Sequence, residues 1–137
     1  MKNQSELYHL FEELVCIKRR QRAIEERLFQ ALSRPIHRKW MHERVQDQYK
    51  HEKIICEVAK TYMGETLEIG QLAQQEMMQQ AVLQELYQRL EQVTANIQLI
   101  TKTSQIIDDF KAYKRINMIL SDEYIYQSRL LRMLIEK

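Results

Sequence analysis

Apolar residues recur along this chain at spacings of three, four and seven, the period of helices with one buried stripe. Leu7, Leu10, Leu14, Ile17, Ile24, Leu28 and Ala31 form the first stripe. It predicts a helix over residues 5–32, with Ser5 as N-cap and Glu6 in the first turn, where the helix dipole favours an acid. Ser33-Arg34-Pro35 interrupts the pattern; proline cannot continue a helix but suits the first turn of the next. A second helix is expected over residues 35–63, its apolar side made of Ile36, Trp40, Val45, Tyr49, Ile54, Ile55, Val58 and Tyr62. Gly64 is placed to end it in a left-handed conformation.

The stretch from Gly64 to Gly70 is the only segment long enough to cross a bundle end or run partway along it. A third helix is expected from about Gly70 to Ile100. It is rich in glutamine, with Leu72, Met77 or Met78, Ala81, Leu83, Leu86, Leu90, Val93, Ile97 and Ile100 as its stripe. The apolar period persists through the glutamines, so the segment is not a low-complexity tract. Ser104 is the expected cap of a fourth helix running to Glu136, with Ile107, Phe110, Ile116, Leu120, Leu130, Leu131 and Leu134 apolar. Helices of about 28 residues are ~42 Å long. Four of them with short connections pack best as an antiparallel four-helix bundle. Strict heptads are not expected to persist, which disfavours one long coiled coil.

Composition narrows the classes further. With two Gly and one Pro in 137 residues, the turn signals an all-β domain needs are absent. No Gly-rich phosphate loop exists. An apolar content of 45% supports a real core, and the length fits one all-α domain over residues 1–137. The net charge of +2 points away from nucleic acid. The local run Lys18-Arg19-Arg20 with Arg22 reads first as a solvated helix surface, and second as a dock for an anionic partner. No stretch approaches a membrane span. The N-terminus MKNQSELYHL lacks a leader-like apolar run, so Cys16 and Cys56 are expected as buried free thiols in a cytoplasmic protein. His37 and His42 are expected at the surface, and Met77 and Met78 in the core.

The second and fourth helices echo each other. One reads Asp47-Gln48-Tyr49-Lys50-His51 and the other Asp122-Glu123-Tyr124-Ile125-Tyr126, with an apolar pair beyond each, Ile54-Ile55 and Leu130-Leu131. This is the pattern of a duplicated helix hairpin. It resembles the ferritin-like superfamily, most closely the short, single-domain rubrerythrin-like proteins of spore-forming bacteria. In that group the second helix reads roughly Asp-Glu-x-x-His and ends near Tyr-x-x-Leu-Thr-Gly. Here Asp47 to His51 runs on to Thr61-Tyr62-Met63-Gly64, and Ser33-Arg34-Pro35 falls at the first turn between helices. The resemblance implies two metal ions held by one Glu from each of two helices and a Glu-x-x-His pair from each of the others. Residues three apart share a helix face, so carboxylate and imidazole point at the axis together.

The ligand positions depart from that implication. The Glu of the second helix is Gln48, with His51 kept; in the fourth, Glu123 is kept and the His is Tyr126. Lys18 stands near the expected Glu of the first helix. In the third helix the register favours Gln80, on the view that the third-to-fourth connection is longer than in the group. A gapless count gives Val93 instead. Neutral Gln and cationic Lys do not offset metal charge, so the set reads as metal removal, with Lys18 pairing with Glu123 across the axis. Glu12-Glu13 or Glu25-Glu26 would restore a carboxylate if the first-helix register shifts by a turn.

The leading expectation is therefore a degenerate ferritin-like bundle with no cofactor, acting as a non-catalytic binding or structural protein. The resemblance adds a bacterial, sporulation- or stress-associated role, and the long side faces add a homodimer or a protein partner. One alternative is an iron- or manganese-binding protein handling oxygen or peroxide at His51, Glu123 and Glu25 or Glu26. The other is a helical adaptor unrelated to ferritins. No nucleophile–base pair or zinc-protease motif is present, which leans away from an enzyme.

Overall fold

The computed structural model describes residues 2–69 and 81–136, with side chains from residue 4 onward. Among the described residues there are four α-helices: α1 (Lys2–Ala31), α2 (Pro35–Val58), α3 (Val82–Ile106) and α4 (Phe110–Glu136). No strand occurs among the described residues, and none of these helices is long and apolar enough to cross a membrane.

Local chemistry sets the boundaries. Pro35 occupies the first turn of α2, where its missing N–H costs nothing. α2 continues into a π-helical turn, Ala59–Met63, which stops at Gly64 with φ 70°. The Gly64 N–H donates to the Lys60 carbonyl at 3.1 Å, satisfying an end-of-helix acceptor. Ser5 lies inside α1, which begins at Lys2, so it is not the cap. Ser104 also lies inside a helix: α3 continues to Ile106, and the Ser104 hydroxyl donates to the Thr101 carbonyl at 2.8 Å. The fourth helix is capped instead by Asp109, whose Oδ2 accepts from the Ala112 N–H at 2.9 Å. Ala81 has extended backbone (ψ 149°), so no continuous helix runs from Gly70 to Ile100. Gln80, Met77 and Met78 lie outside the described residues.

Each helix buries an unbroken seam with steps of three and four. On α1 it runs Leu7, Phe11, Leu14, Lys18, Gln21, Glu25 and Leu28. On α2 it runs His37, Met41, Arg44, Gln48, His51, Ile55 and Val58. α3 contributes Leu86, Arg89, Val93, Asn96, Ile100 and Thr103. α4 contributes Ala112, Ile116, Ile119, Glu123, Tyr126, Leu130 and Met133. The heptad spacing therefore persists; it is hidden from an apolar count because polar residues hold its middle positions. For the same reason the expected apolar side of α2 is displaced. Ile36 and Tyr49 are exposed, while Arg44, Gln48 and His51 face inward.

α1 packs along α2 and α3 along α4; α1 also meets α3, and α2 meets α4. One apolar cluster joins Leu7 to Val15 of α1, Ile54 to Val58 of α2, Ile100 of α3, and Ala112 to Ile119 of α4. A second joins Leu28, Met41, Leu86, Val93, Ile97, Leu130 and Met133 at the other end. The chain thus leaves α2 at one end of the bundle and enters α3 at the other. Leu67 and Ile69, just past Gly64, pack on the first cluster.

A shift of 75 positions, the separation of Gln21 and Asn96, carries the seam of the first hairpin onto the second. Leu28 maps to Thr103, Pro35 to Phe110, Met41 to Ile116, Gln48 to Glu123 and Val58 to Met133. Residues 107–109 between α3 and α4 match residues 32–34 between α1 and α2, so the second connection is no longer than the first. Val93, by the gapless count, is the counterpart of Lys18 and a buried seam position.

Candidate functional site

Between the two apolar clusters lies a layer of buried polar side chains from all four helices. Arg44 is its hub. Its Nε–H donates to Glu25 Oε2 at 3.1 Å, and Nη1 and Nη2 grip both oxygens of Glu123 at 2.9 and 3.0 Å. The planar guanidinium matches a carboxylate in this two-pronged way. Its carbon also sits 3.9 Å from the centroid of the Tyr126 ring, a cation–π contact. Lys18 Nζ donates to Glu123 Oε1, the pairing expected from sequence. Gln48 donates to Glu25 Oε1 at 2.8 Å and points the same amide at Gln21 Oε1, 3.4 Å away. Asn96 donates to Gln21 Oε1 at 2.9 Å, and Gln21 donates on to Gln92.

Lys18, Glu25, Gln48, His51 and Glu123 are each fully buried, and Arg44 is 2% exposed. Burial alone would raise the Glu123 pKa, but Arg44 and Lys18 overcome it and hold the carboxyl down at about 2. Burial pulls the Lys18 ammonium down to about 8, against the raising effect of Glu123. Arg44 is pushed further up: Glu123 and Glu25 outweigh its desolvation. His51 is lowered to about 4 by burial and by Lys18, so it is neutral near pH 7. Burial and the neighbouring Glu25 raise the Tyr126 hydroxyl well above its ordinary value. Two fixed cations and two fixed anions thus sum to zero in a dry layer, the condition under which buried charges are tolerated.

Of the residues singled out from sequence, Lys18, Gln48, His51, Glu123, Tyr126 and Glu25 converge here, while Glu26 is exposed and does not take part. His37 is not at the surface; it is 3% exposed and meets Glu136 Oε1 at 2.9 Å. Cys16 and Cys56 are only half-buried. The basic run divides: Lys18 turns inward, Arg19 and Arg22 pair with Glu52, and Arg20 is exposed. Sequence reasoning missed Arg44, Gln21 and Asn96. The signal was there: Met41-x-x-Arg44-x-x-x-Gln48-x-x-His51 steps by three and four without a break.

The layer does not fit a dimetal centre. Two hard cations need several anionic oxygens, and among the described residues only the carboxylates of Glu25 and Glu123 join this layer. Both are taken by Arg44, which spans the gap between them. No protein-family model, no curated protein and no solved structure matches this chain.

Proposed function

We propose that this chain is a ferritin-like bundle of antiparallel neighbours in which a side-chain charge network has replaced a dimetal centre. In this reading it acts as a non-catalytic binding or structural protein. The two equivalent hairpins support the fold half, as does a connection that returns the chain to the opposite end after α2. One observation carries the functional half: the Arg44 guanidinium bonded to Glu25 and Glu123 at once. With Lys18 it supplies two positive charges that balance the two axial carboxylates where metal ions would otherwise sit, and it leaves neither carboxylate free for a substrate. The cytoplasmic, sporulation- or stress-associated setting is what the resemblance adds.

The test is elemental analysis of protein purified from cells grown with iron and manganese. The expected outcome is no iron or manganese that depends on the axial carboxylates. Near-stoichiometric iron or manganese that disappears in Glu25→Gln or Glu123→Gln overturns the reading and restores the oxygen- or peroxide-handling alternative.

A binding role also has a surface to work through. Phe110, Tyr113, Tyr124, Leu131 and Ile135 are exposed on α4, and at 100° per residue they share its outward face. A second copy of the chain is the proposed occupant, giving a homodimer. Light scattering on the eluting protein should return twice the chain mass, falling to one chain in Leu131→Glu/Ile135→Glu. A wild-type monomer would dismiss the dimer.

A further inference from the structure

Three ligand-type side chains gather on the flank of the axial layer, where α2 and α4 lie side by side. Asp47 and His51 are four residues apart and share a face of α2; Asp122 comes from α4. One ligand atom from each lies within 4.8 Å of the other two. Asp47 and Asp122 hold equivalent places in the two hairpins, so the internal repeat brings two like charges together. Each is partly exposed. Lys50 Nζ stands 3.2 Å from Asp122 Oδ2, but its side chain is half-exposed and free to swing into solvent.

His51 gives the second observation. Its ring is fully buried, with Nε2 turned to Asp122 Oδ2 at 2.8 Å. Nδ1 is buried and has no hydrogen-bond partner, and Glu123 Oε1 lies 3.6 Å away. When the Nε2–H donates to Asp122, the Nδ1 lone pair is left facing an anionic oxygen. A cation bound at Nε2 takes the lone pair of that nitrogen and holds the ring proton on Nδ1, whose N–H then faces the Glu123 carboxylate instead of a lone pair facing it. A carboxylate behind a ligating imidazole is the usual outer-shell arrangement at metal sites. Binding therefore resolves an orphaned buried atom and the repulsion between Asp47 and Asp122 together.

We infer that Asp47, His51 and Asp122 form a mononuclear site for a first-row divalent cation of the zinc class, completed by water. One imidazole and two carboxylates suit such an ion. The site uses neither Glu25 nor Arg44 and does not depend on the ferritin-like reading.

The experiment is calorimetric titration of the chelator-treated full-length chain with Zn2+, in wild type, Asp47→Asn, Asp122→Asn and Glu25→Gln. Both aspartates are partly exposed, so the first two variants are expected to keep the wild-type helical circular dichroism. The expected result is one Zn2+ per chain, with affinity reduced roughly tenfold or more in each Asp variant and retained in Glu25→Gln. No saturable uptake by the wild type, or an affinity unchanged in either Asp variant, overturns the site. Uptake abolished by Glu25→Gln and unaffected by the Asp variants would instead place the metal on the axis, overturning both this inference and the proposed function.

Discussion

Replacing Arg44 with Met removes the cation that both axial carboxylates share. Glu123 keeps Lys18 as a partner. Glu25 keeps no hydrogen-bonded cation, only the Gln48 amide at 2.8 Å, with the Lys18 ammonium acting from farther off. A fully buried carboxylate stripped of its cation costs about 3–5 kcal/mol. At about 2.1 cal/mol/K of unfolding entropy per residue, a loss of ~4 kcal/mol lowers the melting temperature of this 137-residue chain by roughly 14 °C. The companion variant Arg44→Met/Glu25→Gln deletes the stranded charge as well and is expected to recover more than half of the loss. Urea unfolding followed by far-UV circular dichroism, at pH 7 and fixed chain concentration, measures all three proteins. A single variant within about 1 kcal/mol of wild type, or a double variant no more stable than the single, would refute the view that Arg44 neutralises this layer.

Lys18 sets a pH dependence of unusual sign. Its folded pKa of about 8 lies below the ordinary 10.5, so between those values the unfolded chain binds more protons and stability rises with pH. The gain is about 3 kcal/mol across that window, and Lys18→Met should flatten it; parallel curves for the two proteins would count against it. At Gly64, φ is 70° and an added Cβ meets nothing within 4 Å. Gly64→Ala should therefore cost only the backbone term, about 1 kcal/mol, seen as a shift in urea midpoint without a change in slope. Asp109→Ala removes the cap of α4 and should cost about 1 kcal/mol, whereas Ser104→Ala, in the last turn of α3 with its hydroxyl bonded to Thr101, should leave α4 intact by amide exchange.

The four helices and the boundaries at Pro35 and Gly64 were legible because they depend on local chemistry, whereas the start of α3 and the α3–α4 junction, expected near Gly70 and Ser104, fall at Val82 and residues 107–109. Pro35 and Gly64 act through the backbone angles they allow. The register of the buried faces was not legible from apolar residues alone. The middle of each seam carries Lys18, Gln21, Glu25, Arg44, Gln48, His51, Asn96 or Glu123, and a count of apolar positions drifts onto Ile36, Tyr49 or Ile17 instead. The spacing survives there, but its chemical character changes. Arg44 is the clearest case: an arginine on a helix reads as solvated, and only the carboxylates brought by α1 and α4 make an interior position tolerable. Ser104 misled for the opposite reason, since a good capping residue is also at home inside a helix when its hydroxyl bonds the preceding turn.

The 75-position correspondence between the hairpins has a consequence for which halves can be neighbours. Their seams agree in spacing, so by shape alone a first hairpin could pair with another first hairpin, from the same or a second chain. Charge decides otherwise. The axial layer takes Lys18, Arg44 and Glu25 from the first hairpin, a surplus of one positive charge, and Glu123 from the second, one negative. Two first hairpins face to face would bury twice the positive surplus, and two second hairpins would bury a pair of carboxylates while the buried cation of that hairpin, Arg89, is already paired with Glu85. Only the mixed pairing is neutral. The buried charges thus act as an address that tells one hairpin from its near-copy, disfavouring the pairing of like halves.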